Sequence, residues 1–302
     1  MEKPYILHML TTAKNLSPFD VNMAVDAGWI SAIPYTNVEP SEVKALVQDV
    51  IFSRSPKGLQ KTGIFIGGRD TKQAVDMLKL ARNNMLPPFE VSVFADPSGA
   101  FTTAAGIVAA VERELDEKFN TTLDGKNLLA LGGTGPVGQA ACVLAAQSGA
   151  KVRLVGRQLE KSQRVVELCN NEFGDGKIAI EAGVDSEKAE YIKTADVIFS
   201  TGAAGIQLLS DEHIKNATQL KVVADANAVP PSGVAGMEPF DNGKKLVNNP
   251  NGAVAVGALA IGNIKYQSQN RLLKKMIETE QPIFLHFEHA LEVAREFVKS
   301  SK

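Results

Sequence analysis

The sequence predicts an α/β fold in two domains, and three observations point to it. Short β-branched runs alternate with helical patterns along the chain, which is typical of parallel βαβ units. A length of 302 residues favours about two domains. A charged stretch over 112–124 ends in the turn signal Asp124-Gly125. We therefore expect a substrate domain over 1–122, a second domain over 123–265, and C-terminal helices over 266–302 that pack back on the first.

The composition excludes several classes of protein. The 32 Lys+Arg and 34 Asp+Glu nearly balance, without a basic run, which argues against a nucleic-acid or membrane-surface binder. The sequence contains no run of about 18 apolar residues, so it predicts no transmembrane helix. The two cysteines, Cys142 and Cys169, fit a reducing compartment better than a disulfide scaffold. The sequence thus predicts a cytoplasmic protein.

The first domain is predicted to contain strands at 62–66 and 91–95, each followed by a helix. These helices are expected at 70–83 and 102–114, the second after the turn Asp96-Pro97-Ser98-Gly99. Near the start, Ser17, Pro18 and Asp20 have the pattern of an N-cap, a proline at N1 and an acid at N3. A helix is therefore predicted from 18 to 27, ending at Gly28.

The second domain is predicted to alternate strands and helices more regularly. Strands are expected at 127–131, 151–155, 178–181, 197–199 and 221–224, and helices at 136–148 and 160–170. The segment 233–251 is rich in proline and glycine and is expected to be mainly loop. From 263 onwards the pattern is helical, with a break at Pro282.

A G-x-G-x-x-G motif lies between the first of these strands and the helix that follows. We expect Gly133 to make the tight turn, Gly135 to let the backbone approach a pyrophosphate, and Gly138 to let helix and strand pack closely. The free N–H groups of the helix start would bind the phosphates. A purely structural turn is the alternative, but the strand–helix context favours a Rossmann-type dinucleotide site. Its predicted residues are Gly133, Thr134, Gly135, Pro136, Val137 and Gly138.

The end of the next strand bears on the choice of cofactor. An NAD site usually has an acid there for the ribose 2′-OH, whereas this strand ends in Gly156-Arg157, with Lys161 following. Cations at this point favour NADP, since they can bind its 2′-phosphate, without excluding NAD. Alternatively, Arg157 and Lys161 are solvated charges on the surface. Thr201 and Asn227 follow later strands and are predicted to contact the nicotinamide, although asparagine is also common in turns.

Seven segments resemble the NAD(P)-dependent methylene-tetrahydromethanopterin dehydrogenases of methylotrophic bacteria, especially the branch that accepts both cofactors. The resemblance covers nearly the whole chain. Besides the glycine loop, the segments are ILHMLT at 6–11, SPFDVNMA at 17–24, GIFIGG at 63–68, FADPSGAFTT at 94–103, NAVPP at 227–231 and VGALAIGNIKYQ at 256–267.

This resemblance implies a function in one-carbon (formaldehyde) oxidation. Such enzymes oxidise the methylene bridge of the pterin to the methenyl form and pass hydride to NADP or NAD, without metal or flavin. They form homo-oligomers, and the pterin lies in the cleft between the domains. The catalytic residues would be Asp20, Thr102 and Lys265, and the 2′-phosphate contacts Arg157 and Lys161. The dual-cofactor branch does not require so basic a strand end, so the cofactor preference stays open.

The proposed chemistry gives these residues expected roles. The product cation is delocalised over N–C–N, so no strong base is needed, and Asp20 would stabilise this charge or bind the pterin ring. Lys265 would orient the pterin, because an ammonium beside a developing cation raises the barrier. Spacing alone also allows a helix-capping Asp20 and a surface Lys265. Further substrate contacts are predicted at Asp96, Thr103 and Gln269, with a turn-forming role as the alternative for Asp96.

Other readings of the sequence remain. A methylene-tetrahydrofolate dehydrogenase would perform the same chemistry on another pterin. A non-catalytic NADPH-binding sensor would use the same fold to control a partner. A shikimate-type dehydrogenase is disfavoured, since the first half lacks the lysine–aspartate pair at the place expected for it. His286 and His289 have a spacing that suits a metal, but no third ligand is near, so no metal site is predicted.

Overall fold

The structure, a computed structural model, describes residues 3–301. These form two compact units. The first contains the described residues up to Thr102 together with Lys265–Phe297, and the second contains Thr103–Ile264 and the residues from Val298. None of the helices in the described part of the chain is both long and apolar enough to span a membrane.

The secondary structure alternates between strands and helices. The strands are β1 (Ile6–Leu10), β2 (Ser31–Tyr35), β3 (Thr62–Ile66), β4 (Ser92–Ala95), β5 (Asn127–Leu131), β6 (Lys151–Gly156), β7 (Glu181–Val184), β8 (Val197–Ser200), β9 (Val222–Asp225), β10 (Asn242–Lys245), β11 (Val254–Val256) and β12 (Phe284–Leu285). The helices are α1 (Pro18–Asp26), α2 (Val43–Phe52), α3 (Pro56–Leu59), α4 (Thr71–Asn83), α5 (Ala100–Phe119), α6 (Pro136–Gln147), α7 (Leu159–Leu168), α8 (Lys188–Ile192), α9 (Asp211–Asn216), α10 (Ala258–Glu278) and α11 (Phe287–Ser300).

The first unit contains a five-stranded parallel sheet in the order β2-β1-β3-β4-β12. Every residue of β3 and β4 is buried, as expected for strands covered on both faces. The last strand comes from the C-terminal segment, where Phe284 and Leu285 pair with Val93 and Phe94. The C-terminal segment therefore returns to the first unit, as the sequence predicts, and it also adds a strand to the first sheet, which the sequence analysis does not predict.

The second unit contains a seven-stranded sheet in the order β7-β6-β5-β8-β9-β11-β10. All neighbours are parallel except the edge strand β10, which runs antiparallel to β11. The six parallel strands have the order 3-2-1-4-5-6 of a Rossmann fold. The predicted α/β class is thus confirmed, and the strand order reverses between β5 and β8, where such folds bind ligands.

Two local predictions in the second unit are wrong. The strand expected at 178–181 is β7, which begins only at Glu181. The reason is Asn170, whose side-chain amide donates to the Ile180 carbonyl and accepts from its N–H, so that Ile180 lies outside the ladder. The helix expected to reach residue 170 ends at Leu168 and continues as a π-helical turn to Phe173.

Helix α5 is longer than the sequence predicts. It begins at Ala100 rather than at Thr102, because the Asp96 carboxylate accepts the backbone N–H groups of Phe101 and Thr102. It runs to Phe119, through much of the charged stretch in which a domain boundary was expected. The two compact units divide within this helix, after Thr102. The limits of the functional domains stay a prediction.

Candidate active site

Asp20 lies in the first turn of α1 and is only 2% exposed. Pro18 begins the helix, and the Ser17 side chain makes no capping hydrogen bond. The Asp20 carboxylate instead accepts a hydrogen bond of 2.8 Å from Nε2 of Gln269, on α10. Asp20 therefore belongs to a long-range buried pair, which separates it from an ordinary helix-capping acid.

Asp96 directly follows β4 and holds the start of α5. One of its oxygens accepts from the N–H groups of Phe101 and Thr102, and the other accepts from the Thr102 hydroxyl at 2.6 Å. Asp96 is 0% exposed. These contacts support the turn-forming alternative for Asp96, which positions Thr102 in the free protein.

Lys265 lies near the start of α10, in contact with two features of the first unit. Its Nζ is 3.3 Å from the centroid of the Phe19 ring, within the range of a cation–π interaction. Gly99 lies on its other side: a β-carbon at residue 99 would be 2.5 Å from Lys265 Cε. Gly99 also has a φ of +66°, so its backbone favours glycine, and any side chain there would displace the end of Lys265.

Helix α10 is held in the first unit by its own buried face. The Trp29 indole N–H donates to the Leu273 carbonyl, and Leu272, Leu273 and Met276 are buried. This packing fixes the turn of α10 that carries Lys265 and Gln269.

The charged groups of this cluster have shifted pKa values. Burial, and then the negative charge of Asp96, raise the pKa of Asp20 to about 7, against the hydrogen bond from Gln269 and the charge of Lys265. Burial also raises the pKa of Asp96, which its bonds with Thr102 and the charge of Lys265 oppose. Burial lowers the pKa of Lys265, which both carboxylates oppose. Asp20 therefore changes its protonation near neutral pH.

The structure thus brings Asp20, Asp96, Thr102, Lys265 and Gln269 into the first unit. One cation, two acids and a hydroxyl can orient a polar ring and stabilise a positive charge. Thr103 is half-buried on α5, one residue after Thr102. Asp20, Asp96 and Lys265 influence one another's pKa values, whereas Thr103 belongs to the second unit.

The glycine loop of the second unit differs from its predicted assignment at one residue. Gly132, rather than Gly133, has the left-handed backbone of the tight turn, with a φ of +71°. A β-carbon there would lie 2.6 Å from the backbone of Gly202, in the loop after β8. The sequence alone did not show which of the adjacent glycines, Gly132 or Gly133, makes the tight turn, because the G-x-G-x-x-G motif includes only Gly133.

The space around the other glycines is that expected of a dinucleotide-binding loop. A β-carbon at Gly138 would lie 2.5 Å from Gly133 Cα, so this pair needs glycine for close packing, as predicted. At Gly135, the N-cap of α6, only the Gly132 carbonyl would come near, at 3.7 Å. Pro136 follows at the first helical position. The helix start thus leaves open space beside its free N–H groups, which fits a phosphate.

The end of β6 packs beside this loop. A β-carbon at Gly156 would lie 2.7 Å from Thr134 Cγ2, so the strand end and the half-buried Thr134 are in close contact. Arg157 comes next in the chain, and Lys161 lies in the first turn of α7; both are exposed. Neither forms an ion pair with an acid within the described residues, so both cations can reach an added phosphate.

The two later loops are braced by their own polar groups. The Thr201 hydroxyl donates to the Leu131 carbonyl at 3.1 Å. The Asn227 carbonyl oxygen accepts from the N–H groups of Gly205 and Val229, and its amide nitrogen donates to the Pro231 carbonyl. These contacts support the turn role for Asn227, since its amide ties two loops together.

Sequence reasoning missed Asp225, at the end of β9. This buried carboxylate accepts from the Ser200 hydroxyl at 2.8 Å and from the Gly233 N–H at 2.7 Å, and burial raises its pKa. It joins the end of β8 to the segment that follows β9, on the carboxyl side of the sheet. The sequence feature that could have indicated this contact is that two neighbouring strands end in a serine and an aspartate.

The histidine pair forms no metal site with further ligands in the described residues, which contain no group of three or more His, Cys, Asp or Glu suited to a metal. The rings of His286 and His289 pack edge to face at 4.7 Å. Burial, and then His289, lower the pKa of His286 to about 4. This favours a neutral, packed histidine.

Comparison with known proteins decides the family. The model of the methylene-tetrahydromethanopterin dehydrogenase N-terminal domain matches residues 18–98. The NAD(P)-dependent methylenetetrahydromethanopterin dehydrogenase of Methylorubrum extorquens is 43% identical over 298 residues, which is 96% of this chain and 98% of that protein. The chain belongs to this family. The resemblance stated from the sequence is thereby confirmed. The Bifunctional protein MdtA of the same organism is 34% identical over 92% of this chain and 94% of its own length.

Two solved structures share the fold of this chain at much lower identity. Shikimate 5-dehydrogenase from Listeria monocytogenes, in complex with shikimate and NAD, has a TM-score of 0.54 at 13% identity and covers 99% of this chain and 96% of its own. The 5-ketofructose reductase of Gluconobacter sp. strain CHM43 has a TM-score of 0.54 at 15% identity, with 98% and 99% covered. These similarities support the fold of the chain alone.

Proposed function

We propose that this protein is an NAD(P)-dependent methylene-tetrahydromethanopterin dehydrogenase. It oxidises the one-carbon bridge between two nitrogens of the reduced pterin to the methenyl form, in one-carbon oxidation. The observation that carries this function is the 43% identity over 96% of the chain to an enzyme of that name. The buried Asp20–Gln269 pair and its neighbour Lys265 support it, because they provide polar groups for a ring and a cation.

The second unit has the features needed to bind the dinucleotide. Gly132 and Gly138 allow the backbone packing of the loop, and the start of α6 leaves room beside Gly135 for the pyrophosphate. Arg157 and Lys161 would hold the 2′-phosphate of NADP, while NAD would bind through the remaining contacts. When bound, NADP or NAD supplies the nicotinamide C4 that accepts the hydride.

The residues of the first unit would act mainly by position and charge. Removal of hydride from the bridge leaves a cation spread over N–C–N, so the protein need not abstract a proton. Asp20 would lie near the positively charged pterin and stabilise it, most strongly when ionised. Thr102, held by Asp96, would present its hydroxyl to the substrate.

Lys265 would orient the pterin through one of its oxygen atoms. The lysine is half-buried, and Asp96 and Asp20 offset the effect of burial on its pKa. Its contact with the Phe19 ring and the tight fit against Gly99 hold the side chain before substrate arrives. This arrangement suits a hydrogen-bond donor better than a base for the chemical step.

A direct assay tests the function. Purified protein is mixed with methylene-tetrahydromethanopterin and either NADP or NAD, and the reduced nicotinamide is followed by its near-ultraviolet absorbance. Methylene-tetrahydrofolate is the parallel substrate. Reduction with the methanopterin substrate supports the proposal. Reduction with the folate alone would assign the activity to the other pterin, and tight NADPH binding without turnover on either would favour the sensor.

We also propose a homo-oligomeric assembly in the cytoplasm, in line with the family resemblance. Two buried, free cysteines, Cys142 and Cys169, suit a reducing compartment. Light scattering of the purified protein measures the assembly: a mass near 32.3 kDa would contradict the oligomer.

A further inference from the structure

Asp225, the buried carboxylate that ends β9, accepts hydrogen bonds at both of its oxygens. Oδ1 accepts from the Ser200 hydroxyl at 2.8 Å and from the Asn227 N–H at 3.2 Å. Oδ2 accepts from the Gly233 N–H at 2.7 Å. Because Asp225 is only 2% exposed, these groups of the protein, rather than bulk water, are its partners. The carboxylate therefore fixes the end of β8 and two points of the loop between β9 and β10.

Gly233 extends this connection to the loop between β8 and α9. Its carbonyl accepts from the N–H groups of Leu208 and Leu209, at 2.7 and 3.0 Å. A β-carbon at residue 233 would overlap Ser200 Oγ and lie 2.6 Å from Asp225 Oδ1. The serine, the aspartate and the glycine thus meet without space for a further side chain.

A second connection between the two loops runs through Asn227. Its N–H donates to Asp225, and its side-chain oxygen accepts from the N–H groups of Gly205 and Val229. Gly205 lies in the loop between β8 and α9, whereas Val229 lies in the loop between β9 and β10. A displaced Asp225 would therefore loosen the contact between these loops at both places.

The strand order indicates which half of a dinucleotide these loops face. A Rossmann sheet consists of two mononucleotide-binding halves that meet where the strand order reverses, here between β5 and β8. Arg157 and Lys161, the residues proposed for the 2′-phosphate on the adenosine, follow β6 on one side of this point. Strands β8 and β9 lie on the other side, so their loops belong to the half that receives the nicotinamide.

We propose that Asp225 is a positioning residue for the nicotinamide half of the cofactor. It holds the loops after β8 and β9 in the arrangement that receives the nicotinamide, and it has no effect on the adenosine half. Asp225 acts through Gly233 and Asn227 and does not touch the reacting atoms. This inference rests on the proposed function and deepens it, because it concerns the same dinucleotide.

Asp225→Asn tests this role with little change in the shape of the side chain. An amide offers one acceptor oxygen, and its other end is an N–H₂ donor. In either orientation the N–H₂ group would face a backbone N–H, that of Asn227 or that of Gly233. One backbone donor thus loses its acceptor, and the repulsion between the two donors displaces the loop.

Asp196→Asn is the matched control. Asp196 also accepts from a backbone N–H, that of Asn127 at 2.9 Å, and from a side chain, Lys221 Nζ at 2.6 Å. It directly precedes β8, so it joins the same sheet at the amino ends of the strands, away from the two loops. The same substitution there should affect stability without affecting the nicotinamide.

Two ligands separate the halves of the cofactor. NADPH contains both halves, and adenosine 2′,5′-bisphosphate contains the adenosine and the 2′-phosphate without the nicotinamide. Calorimetry measures the affinity of the wild type and of both variants for each ligand. We expect Asp225→Asn to weaken NADPH binding about tenfold, since the loss of a hydrogen bond to a charged group has a cost of this order. Its affinity for the bisphosphate should equal that of the wild type, and Asp196→Asn should change neither affinity.

Two outcomes for Asp225→Asn would overturn the proposal. Equal weakening of both ligands would indicate a general loss of structure, and an unchanged affinity for NADPH would show that the nicotinamide loops do not depend on the carboxylate. If Asp225→Asn does not fold, Ser200→Ala replaces it, because this variant removes one of the three hydrogen bonds and keeps the carboxylate. It should weaken NADPH binding alone, by a smaller factor, and the same two outcomes would count against the proposal.

The measurement also distinguishes this inference from the proposed function. Ligand binding requires no turnover, so the role of Asp225 can be tested in a protein that fails to oxidise methylene-tetrahydromethanopterin. A wild type that oxidises this substrate but shows no selective effect of Asp225→Asn would contradict the role of Asp225 alone. A wild type that does not bind NADPH would contradict both proposals.

Discussion

At the scale of single residues, the pKa values of Asp20, Asp96 and Lys265 depend on burial as much as on residue type. Asp20 and Asp96 are both nearly inaccessible, yet only Asp96 has both oxygens occupied by hydrogen bonds from its own turn. Asp20 has one, from Gln269. Asp20 has fewer hydrogen bonds than Asp96, so its carboxylate is the one available to a ligand. Its ionisation can be followed by measuring activity as a function of pH.

The pH dependence of activity should report Asp20. Its pKa of about 7 means that it is largely protonated at pH 6 and ionised at pH 8. Because the ionised form binds N–H donors and cations better, kcat/KM should rise with pH through about 7 and then level off. Asp96 and Lys265 are the charged groups that act on it. Asp20→Asn should be less active and lose this rise, and a wild-type profile that is flat from pH 5.5 to 8.5 would contradict the assignment.

Lys265→Met tests orientation against chemistry. If Lys265 holds the pterin by one charge-assisted hydrogen bond, its loss should raise KM by about ten- to hundredfold, from a cost of about 1.5–3 kcal/mol. The value of kcat should change much less. Steady-state kinetics with saturating NADP measures both. A dominant loss of kcat would place the lysine in the chemical step instead.

Arg157→Ala tests the cofactor preference. Loss of a charge-assisted bond to the 2′-phosphate should lower kcat/KM for NADP by about ten- to hundredfold, and that for NAD should hardly change because NAD lacks this phosphate. Lys177→Ala is a suitable control, since Lys177 is an exposed lysine of the same unit. Equal effects of Arg157→Ala on both cofactors would show that the arginine does not read the phosphate.

At the scale of elements, strand ends and the turns after them create both candidate sites. The turn after β4 starts α5 through Asp96, and its Ser98 and Gly99 both have positive φ values. The Ser98 hydroxyl donates to the Gly68 carbonyl at 2.7 Å, which ties this turn to the one after β3. The turn after β5 touches the loop after β8 at Gly132 and Gly202. These close backbone contacts leave little freedom for substitution.

Gly99→Ala should displace Lys265. The new β-carbon would lie 2.5 Å from Lys265 Cε, in a backbone that also disfavours alanine by about 1–2 kcal/mol. Gly176→Ala is the matched control, because Gly176 has the same φ of +66° and nothing within 4 Å of the added carbon. Both variants should lose similar thermal stability, but only Gly99→Ala should raise KM for the pterin. Equal kinetics in the two would exclude a role for this contact.

At the scale of the whole molecule, the burial of acids links stability to pH. The folded pKa of Asp20, about 7, lies above its ordinary value of 3.8, so its favourable contribution is complete below pH 3.8 and is lost as the pH rises through about 7. The wild type should therefore lose stability relative to Asp20→Asn between pH 5 and pH 8, by at most a few kcal/mol. Thermal unfolding of both proteins at the two pH values measures the difference. A difference that is independent of pH would contradict the raised pKa.

Local patterns in the sequence predicted much of the fold, and contacts between distant residues limited the rest. Strand β3 and the position of the glycine loop follow from short-range periodicity and turn residues. The displacement of β7 depends on the amide of Asn170, which periodicity does not describe.

The site shows the same division. Family segments indicated Asp20 and Lys265, whereas the bond between Asp20 and Gln269 joins positions 249 residues apart. Gly132 and Asp225 were missed because their roles depend on neighbouring loops that only the folded chain brings together.

The return of the C-terminal segment has a consequence for biosynthesis. The strands of the seven-stranded sheet all lie within Thr103–Ile264, whereas the first sheet needs β12, and its cluster needs Lys265 and Gln269. On the ribosome, the dinucleotide unit can therefore complete its sheet before the C-terminal residues that the N-terminal unit needs have been synthesised. The usual order, in which the N-terminal part of a nascent chain folds first, is reversed, and the part that would bind the pterin is the last to become whole.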